Sequence, residues 1–166
     1  MNQKYELLQS DTVQHFGHTL YRVRALRDIG DIVKAGDLGG YIEAESNLDV
    51  AGDCWINDSA RVYGDAQIND NAQINGNAWV GGDAFIQSND DFVAIDGIGS
   101  HHGATTAYKC KDGSIEIVTE GFRGSLEEFE KYVQKTHGDN KFAQEYRKAI
   151  ELIKLHIQGD CPRMGE

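Results

Sequence analysis

Two adjacent histidines, His101 and His102, stand in the glycine-rich run GIGSHHGATT, where an exposed imidazole can take a proton or join a metal site. Neighbouring side chains of an extended segment point to opposite faces, so the two make poor joint ligands and a plain loop role competes with a chemical one. His15, His18, His137 and His156 are less clustered, although His15 and His18 are close enough in the chain to lie together beside an arginine-bearing strand. The glycines of GIGSHHG are spaced GxGxxxG and precede no helical pattern. The helix N-terminus that a phosphate loop needs is therefore missing.

Arg22, Arg24 and Arg27 concentrate positive charge in a chain whose formal net charge is -11. Strand alternation puts Arg22 and Arg24 on one face, where they could grip a phosphate or carboxylate by paired hydrogen bonds. Pairing within the chain with Asp28, Asp31 or Glu43 competes with that role. The acidic balance argues against nucleic acid or an anionic membrane as partner. Carboxylates in a regular row could mimic a nucleic acid, but only Asp65 with Asp83, and Asp53 near Asp70, fall into column. That is too short to imitate a phosphate backbone.

The elements that must position these groups follow from a rhythm of six. Residues Gly52 to Gln87 divide as GDCWIN, DSARVY, GDAQIN, DNAQIN, GNAWVG and GDAFIQ. Position five is always Ile or Val, position three is Ala or Cys54, and positions one and two draw on turn formers. Each block thus predicts one short strand and one corner, with the small and the aliphatic residue facing inwards. Leu48 and Val50 extend the phase backwards as positions three and five of an earlier block; Phe92 and Ile98 extend it forwards. Position four points outwards, and Trp55, Trp79 and Phe85 stand there. Folding the blocks in threes sets Arg61 and Tyr63 one turn from Trp79. Outward aromatics beside an arginine suit an interface centre or a ligand groove; cover by the appended hairpin and helices of the same subunit is the competing expectation.

The pairs Ile56 with Ala60, Val62 with Ala66, Ile68 with Ala72, Ile74 with Ala78 and Val80 with Ala84 resemble the signature of hexapeptide-repeat proteins. That resemblance implies a left-handed parallel β-helix. Many such proteins are acyltransferases, which implies acetyl-CoA, a trimer and a histidine base. No histidine stands between Leu20 and Ser100, so His101 or His102 would have to substitute. The run LYRVRALRDIGDIVKAGDLGGYIEAESNLDVAGDCWINDSARVYGDA, with GSLEEFEKYV and HGDNKFAQEYRKAIELIK, resembles small hexapeptide-repeat proteins of bacteriophages and prophages, a group without a settled activity.

Around the repeat, GHTLYRVRALRDI alternates as a half-buried strand and KAGDLGGYI leads into the first turn. TTAYKCKDGSIEIVTE predicts a hairpin around Lys111, Asp112 and Gly113. Ser125 and Glu128 form a capping box for a helix carrying Phe129, Tyr132 and Val133 and stopping at Gly138. A second helix carries Phe142, Tyr146, Ala149, Ile150, Ile153 and Ile157 and stops at Gly159. Cys54, Cys110 and Cys161 are scattered, which predicts neither a disulfide framework nor a zinc site. The start MNQKYELLQS lacks a secretory pattern and no apolar run is of membrane length, which predicts a cytoplasmic protein; the resemblance to phage proteins implies that the cytoplasm is that of a bacterial host.

The expected fold is mainly β, a short left-handed parallel β-helix over 40–99, an N-terminal strand cap over 1–39 and a hairpin with two α-helices over 100–166. The expected function is non-catalytic: an oligomer, with a trimer favoured, that captures a host component such as a nucleotide-like signalling molecule. Arg22, Arg24, Trp55, Arg61, Tyr63, Trp79 and Phe85 are the expected ligand or interface residues, with no cofactor and no metal. An acyltransferase using acetyl-CoA and a structural or host-protein-binding module are the alternatives.

Overall fold

The computed structural model describes residues 2–158. Six residues with positive φ, Gly52, Asp58, Gly64, Asp70, Gly76 and Gly82, recur at every sixth position. All are first positions of the repeat blocks, so the backbone turns through the left-handed region once per block, where only Gly, Asp or Asn sits comfortably. Between the turns lie two-residue strands: β4 (Trp55–Ile56), β5 (Arg61–Val62), β6 (Gln67–Ile68), β7 (Gln73–Ile74), β8 (Trp79–Val80) and β9 (Phe85–Ile86).

These strands pair in parallel with an offset of eighteen residues, β4 with β7, β5 with β8 and β6 with β9. Val62 meets Val80, Ile56 meets Ile74 and Ile68 meets Ile86, all wholly buried together with the alanines of position three. The pairings form separate sheets, not one closed sheet. The rhythm continues backwards with a slip: Ile42, on β3 (Leu38–Ile42), pairs with Val62, and Leu48 bridges to Ile68. Both are offset by twenty, because the spacing from Leu48 to Ile56 is eight. Leu48 therefore occupies a position-five slot, and Val50, expected inside, is exposed.

The expected continuation past Ile86 takes another form. Phe92–Ile98 is one strand, β10, paired antiparallel with β11 (Gly103–Lys109). A spacing of six is a multiple of a strand's own period of two, so the sequence pattern cannot separate a repeat from a single longer strand. Phe92 still packs into the core of the parallel rows, while Ile98 joins the helices.

The flanks close both ends of that core. β1 (Tyr5–His15) and β2 (His18–Ala25) form a hairpin whose second strand pairs with β3. Tyr5, Val23, Ala25, Ile29 and Val33 pack against Ile42, Leu48 and Ile56 in one cluster. The expected strand is β2; β1 carries no clean alternation because its register shifts between Leu8 and Thr12. At the other end β11, β12 (Ile115–Val118) and β13 (Arg123–Ser125) continue the antiparallel sheet from β10. The hairpin between β11 and β12 is the one expected around Asp112. Tyr108 and Val118 face the parallel rows, whereas Ala107, Ile115 and Ile117 face helices α1 (Leu126–His137) and α2 (Lys141–Ile153).

Helix α1 starts at the Ser125–Glu128 capping box and stops at Gly138, as its sequence predicts. Helix α2 is capped by Asn140 and gives way to a π-helical turn over Lys154–Gln158. Its expected stop at Gly159, and Cys161, lie outside the described residues. Among the described residues no helix is long and apolar enough to cross a membrane.

Two glycines let β3 sit against the repeat. A Cβ on Gly40 would stand 2.5 Å from the Ala60 carbonyl oxygen, and one on Gly39 equally close to that of Ile56. Gly40→Ala is expected to lower unfolding free energy by about 2 kcal/mol through overpacking, measured by urea denaturation. An unchanged midpoint would mean that β3 does not approach so closely.

Candidate ligand groove

The tip of the β1–β2 hairpin carries an unusual turn. Its central residues, Phe16 and Gly17, have φ of 47° and 82°. Two positive φ values suit a two-residue hairpin, for which Asn-Gly or Gly-Gly is the usual choice. A bulky aromatic in the first place is a conformational outlier, and the Phe16 side chain gains little burial in return, since the residue is 64% exposed.

Beneath it lies a box of rings. His15 is 4% exposed and its ring centroid is 4.5 Å from Phe16, 4.6 Å from Tyr63 and 4.7 Å from Trp79. Arg61 and Trp79 are partners across the β5–β8 ladder, as folding in threes predicts. The Arg61 Nη1 group lies 3.0 Å from His15 Nδ1. A guanidinium only donates, so Nδ1 must accept and the proton must reside on Nε2, which is buried without a partner. Burial first, then Arg61 and His18, lower the His15 pKa to about 4.

Across the hairpin, His18 Nδ1 donates to Glu43 at 2.7 Å and its ring lies 5.4 Å from Tyr63. Burial alone would raise the Glu43 carboxyl, but hydrogen bonds from His18 and from the Gly64 N–H outweigh it and leave the pKa lowered. Tyr63 is buried, which raises its phenol pKa and keeps it neutral. A Cβ on Gly81 would overlap the Tyr63 ring, so the Gly81 position is what seats it.

Phe16, His18 and Tyr63 form one wall of a groove of about 350 Å³. The opposite wall is the end of β12, the turn after it and the first residue of β13, notably Thr119, Phe122 and Arg123. Arg123 also borders a second, polar groove of about 450 Å³ that includes Gly82, Lys111 and Ser125. Its Nε donates to Glu116 at 3.1 Å, and Glu116 in turn accepts from the buried Tyr108 hydroxyl. Neither Phe16 nor Arg123 was singled out by the sequence pattern. The Phe-Gly dipeptide between two strand segments was the one available signal for the first.

The sequence-predicted residues do not all come together. Arg61, Tyr63 and Trp79 come together at the ring box. Trp55 does not belong to it: it points away from the repeat core yet is 1% exposed, because Tyr5 packs edge-on against it at 6.5 Å. Trp79 is half-buried under His15 and Phe16. The N-terminal hairpin supplies the rings that cover these indoles, and C-terminal strand β11 adds contact at Trp79, whose backbone N–H donates to the Thr106 hydroxyl at 3.0 Å. Phe85 is half-buried beside Gln67 on another ladder, apart from the groove.

Arg22 and Arg24 are spent within the chain. Arg22 donates to Asp11, to the Gly39 carbonyl oxygen and to the Tyr41 hydroxyl, and Arg24 pairs with Glu6. The partners come from β1 and β3, in place of the expected Asp28, Asp31 or Glu43. Asp28 instead pairs with Lys34, and Glu43 with His18.

His101 and His102 lie in the turn between β10 and β11 and do not act as a pair. His101 Nδ1 is 3.7 Å from Glu120, beyond hydrogen-bond range, and His102 faces Phe142 at 6.4 Å. Among the described residues no three His, Cys, Asp or Glu side chains are grouped to hold a metal ion. Burial pushes the Cys54 thiol up and the Cys110 thiol to about 11, so both remain protonated at neutral pH. No protein-family model matches the chain, and no curated protein matches it.

The His15 geometry has a consequence for stability. A histidine whose folded pKa is depressed protonates first in the unfolded chain as pH falls. Stability is therefore full above pH 6.5 and lost between there and about 4. That loss amounts to about 3 kcal/mol. His15→Phe is expected to flatten this part of the stability–pH curve in thermal melts, and an equally steep decline in the variant would reject the assignment.

Proposed function

We propose that this protein is a non-catalytic binding protein of bacteriophage type, which captures a small host molecule with a planar ring in the groove under Phe16. A nucleotide-like signalling molecule is the candidate of this kind. The single observation that carries the proposal is the exposed phenyl ring of Phe16, held in a left-handed turn that asparagine or glycine would occupy with less strain. Such strain costs about 1–2 kcal/mol and persists where something other than folding selects it. Aromatic rings at one lip and an arginine at the other suit ring stacking with a polar anchor.

The three parallel ladders are, in this proposal, the faces of a short left-handed triangular coil of the hexapeptide-repeat kind. Corners at every sixth residue and pairing offsets of eighteen support it. The protein would work in the bacterial cytoplasm. Assembly into an oligomer remains part of the proposal, but with Trp55 and Trp79 covered within the chain it needs other contacts than these rings.

Phe16→Asn separates binding from folding. The variant is expected to be as stable as the parent or up to about 1 kcal/mol more stable, while losing most of its captured ligand. Native mass spectrometry of protein purified from bacterial cells, before and after heat release, reads the capture, and thermal melts read the fold. Equal retention of a released small molecule by parent and variant would reject the groove as the binding site.

A further inference from the structure

Arg123 has more hydrogen-bonding capacity than its surroundings use. A guanidinium carries five N–H donors. Here Nε donates to Glu116, and among the described residues the Nη groups donate to no protein acceptor. The side chain is 49% exposed, with Glu116 24% exposed beside it.

The backbone opposite makes room for this arrangement. Gly82 has a φ of 55°, and a Cβ there would run into Arg123 Nη2 and stand 2.8 Å from Glu116 Oε1. The same Glu116 oxygen also accepts from the hydroxyl of Tyr108, whose ring is wholly buried. The carboxylate is therefore anchored, whereas Arg123 lines both the aromatic groove and the polar groove, with its guanidinium against Glu116 and Gly82 of the polar one. The carboxylate that lines the aromatic groove, Glu120, lies on the His101 side.

We infer that Arg123 is the anion-reading residue of the groove, and that the ligand is an aromatic or heteroaromatic ring bearing a carboxylate or phosphate. This rests on the capture proposed above and adds the group that selects the ligand. The ring lies along Phe16, Tyr63 and Phe122, and its oxyanion takes two N–H groups of Arg123 in the fork geometry that guanidinium favours. Glu116 holds the guanidinium at the polar groove, where the ligand's oxyanion must reach it, and competes with the ligand for the same charge. An exposed ion pair of this kind contributes little by itself, so a ligand oxyanion can share or replace it readily.

Titration calorimetry on the full chain tests this with four probes: phenol, benzoate, phenyl phosphate and inorganic phosphate. Benzoate and phenyl phosphate are expected to bind about tenfold more tightly than phenol, and whichever of the two binds more tightly identifies the oxyanion. Arg123→Gln should erase that advantage and leave phenol unchanged. Glu116→Gln, which keeps an acceptor for Tyr108, should tighten the anionic probes several-fold. The opposite directions of the two variants distinguish recognition from a general loss of fold.

If phenol binds and the anionic probes bind no better, or if Arg123→Gln leaves them unaffected, Arg123 does not read the ligand while the groove proposal survives. If inorganic phosphate binds as tightly as phenyl phosphate and Phe16→Asn changes neither, the anion site stands and the ring proposal falls. Absence of binding by all four probes overturns both.

Discussion

Backbone that must enter the left-handed region every sixth residue leaves each intervening strand only two paired residues long. Such strands cannot hold together along their length, so they hold together across it, through parallel pairing at an offset of eighteen. Complete burial of one Ile or Val and one Ala or Cys per block makes that stacking favourable, at roughly 25 cal/mol for each Å² of apolar surface removed from water. Every other feature is referred to this stack: which rings share a face, where the flanks can dock and which surfaces remain open.

The stack has two ends, and few repeats to bury them. The N-terminal segment closes one end and brings polar anchors with it. Lys4 is 1% exposed, and its ammonium donates to the Asp49 carbonyl oxygen at 2.9 Å and to Cys54 Sγ at 3.3 Å. Tyr5 caps the Leu48 carbonyl oxygen at 2.6 Å. A buried ammonium is tolerable only when its donors are satisfied in this way, which fixes the hairpin's position on the stack. The same hairpin then carries His15 and Phe16 over the β5–β8 ladder. Its placement is set at one end of β1, and the groove is formed at the other.

The groove also depends on the second closure. The antiparallel sheet turns Tyr108 and Val118 towards the stack and Ile115 and Ile117 towards the helices, so both of its faces are buried and its edge is held. The turn after β12 is thereby brought opposite Phe16. Two appendages far apart in the chain border one groove, to which one contributes a strained phenylalanine and the other an arginine with unspent donors. Neither closure by itself would make a cavity there.

The sixfold rhythm, its corners, the hairpin around Asp112 and the capped start of α1 were legible in the sequence, because each depends on backbone geometry over a few residues. The rhythm also placed Arg61 beside Trp79. It could not tell that Phe92 to Ile98 is one strand, since six is divisible by two, nor that a wider spacing turns Val50 outwards. Tertiary structure alone decided that Trp55 is covered by Tyr5, that Arg22 and Arg24 are spent on Asp11 and Glu6, and that Phe16 and Arg123 line one groove. These outcomes depend on pairings between residues up to about a hundred positions apart, for which a local pattern holds no information. Which side chains point away from a core follows from periodicity, but which of them stay bare follows from what docks on top.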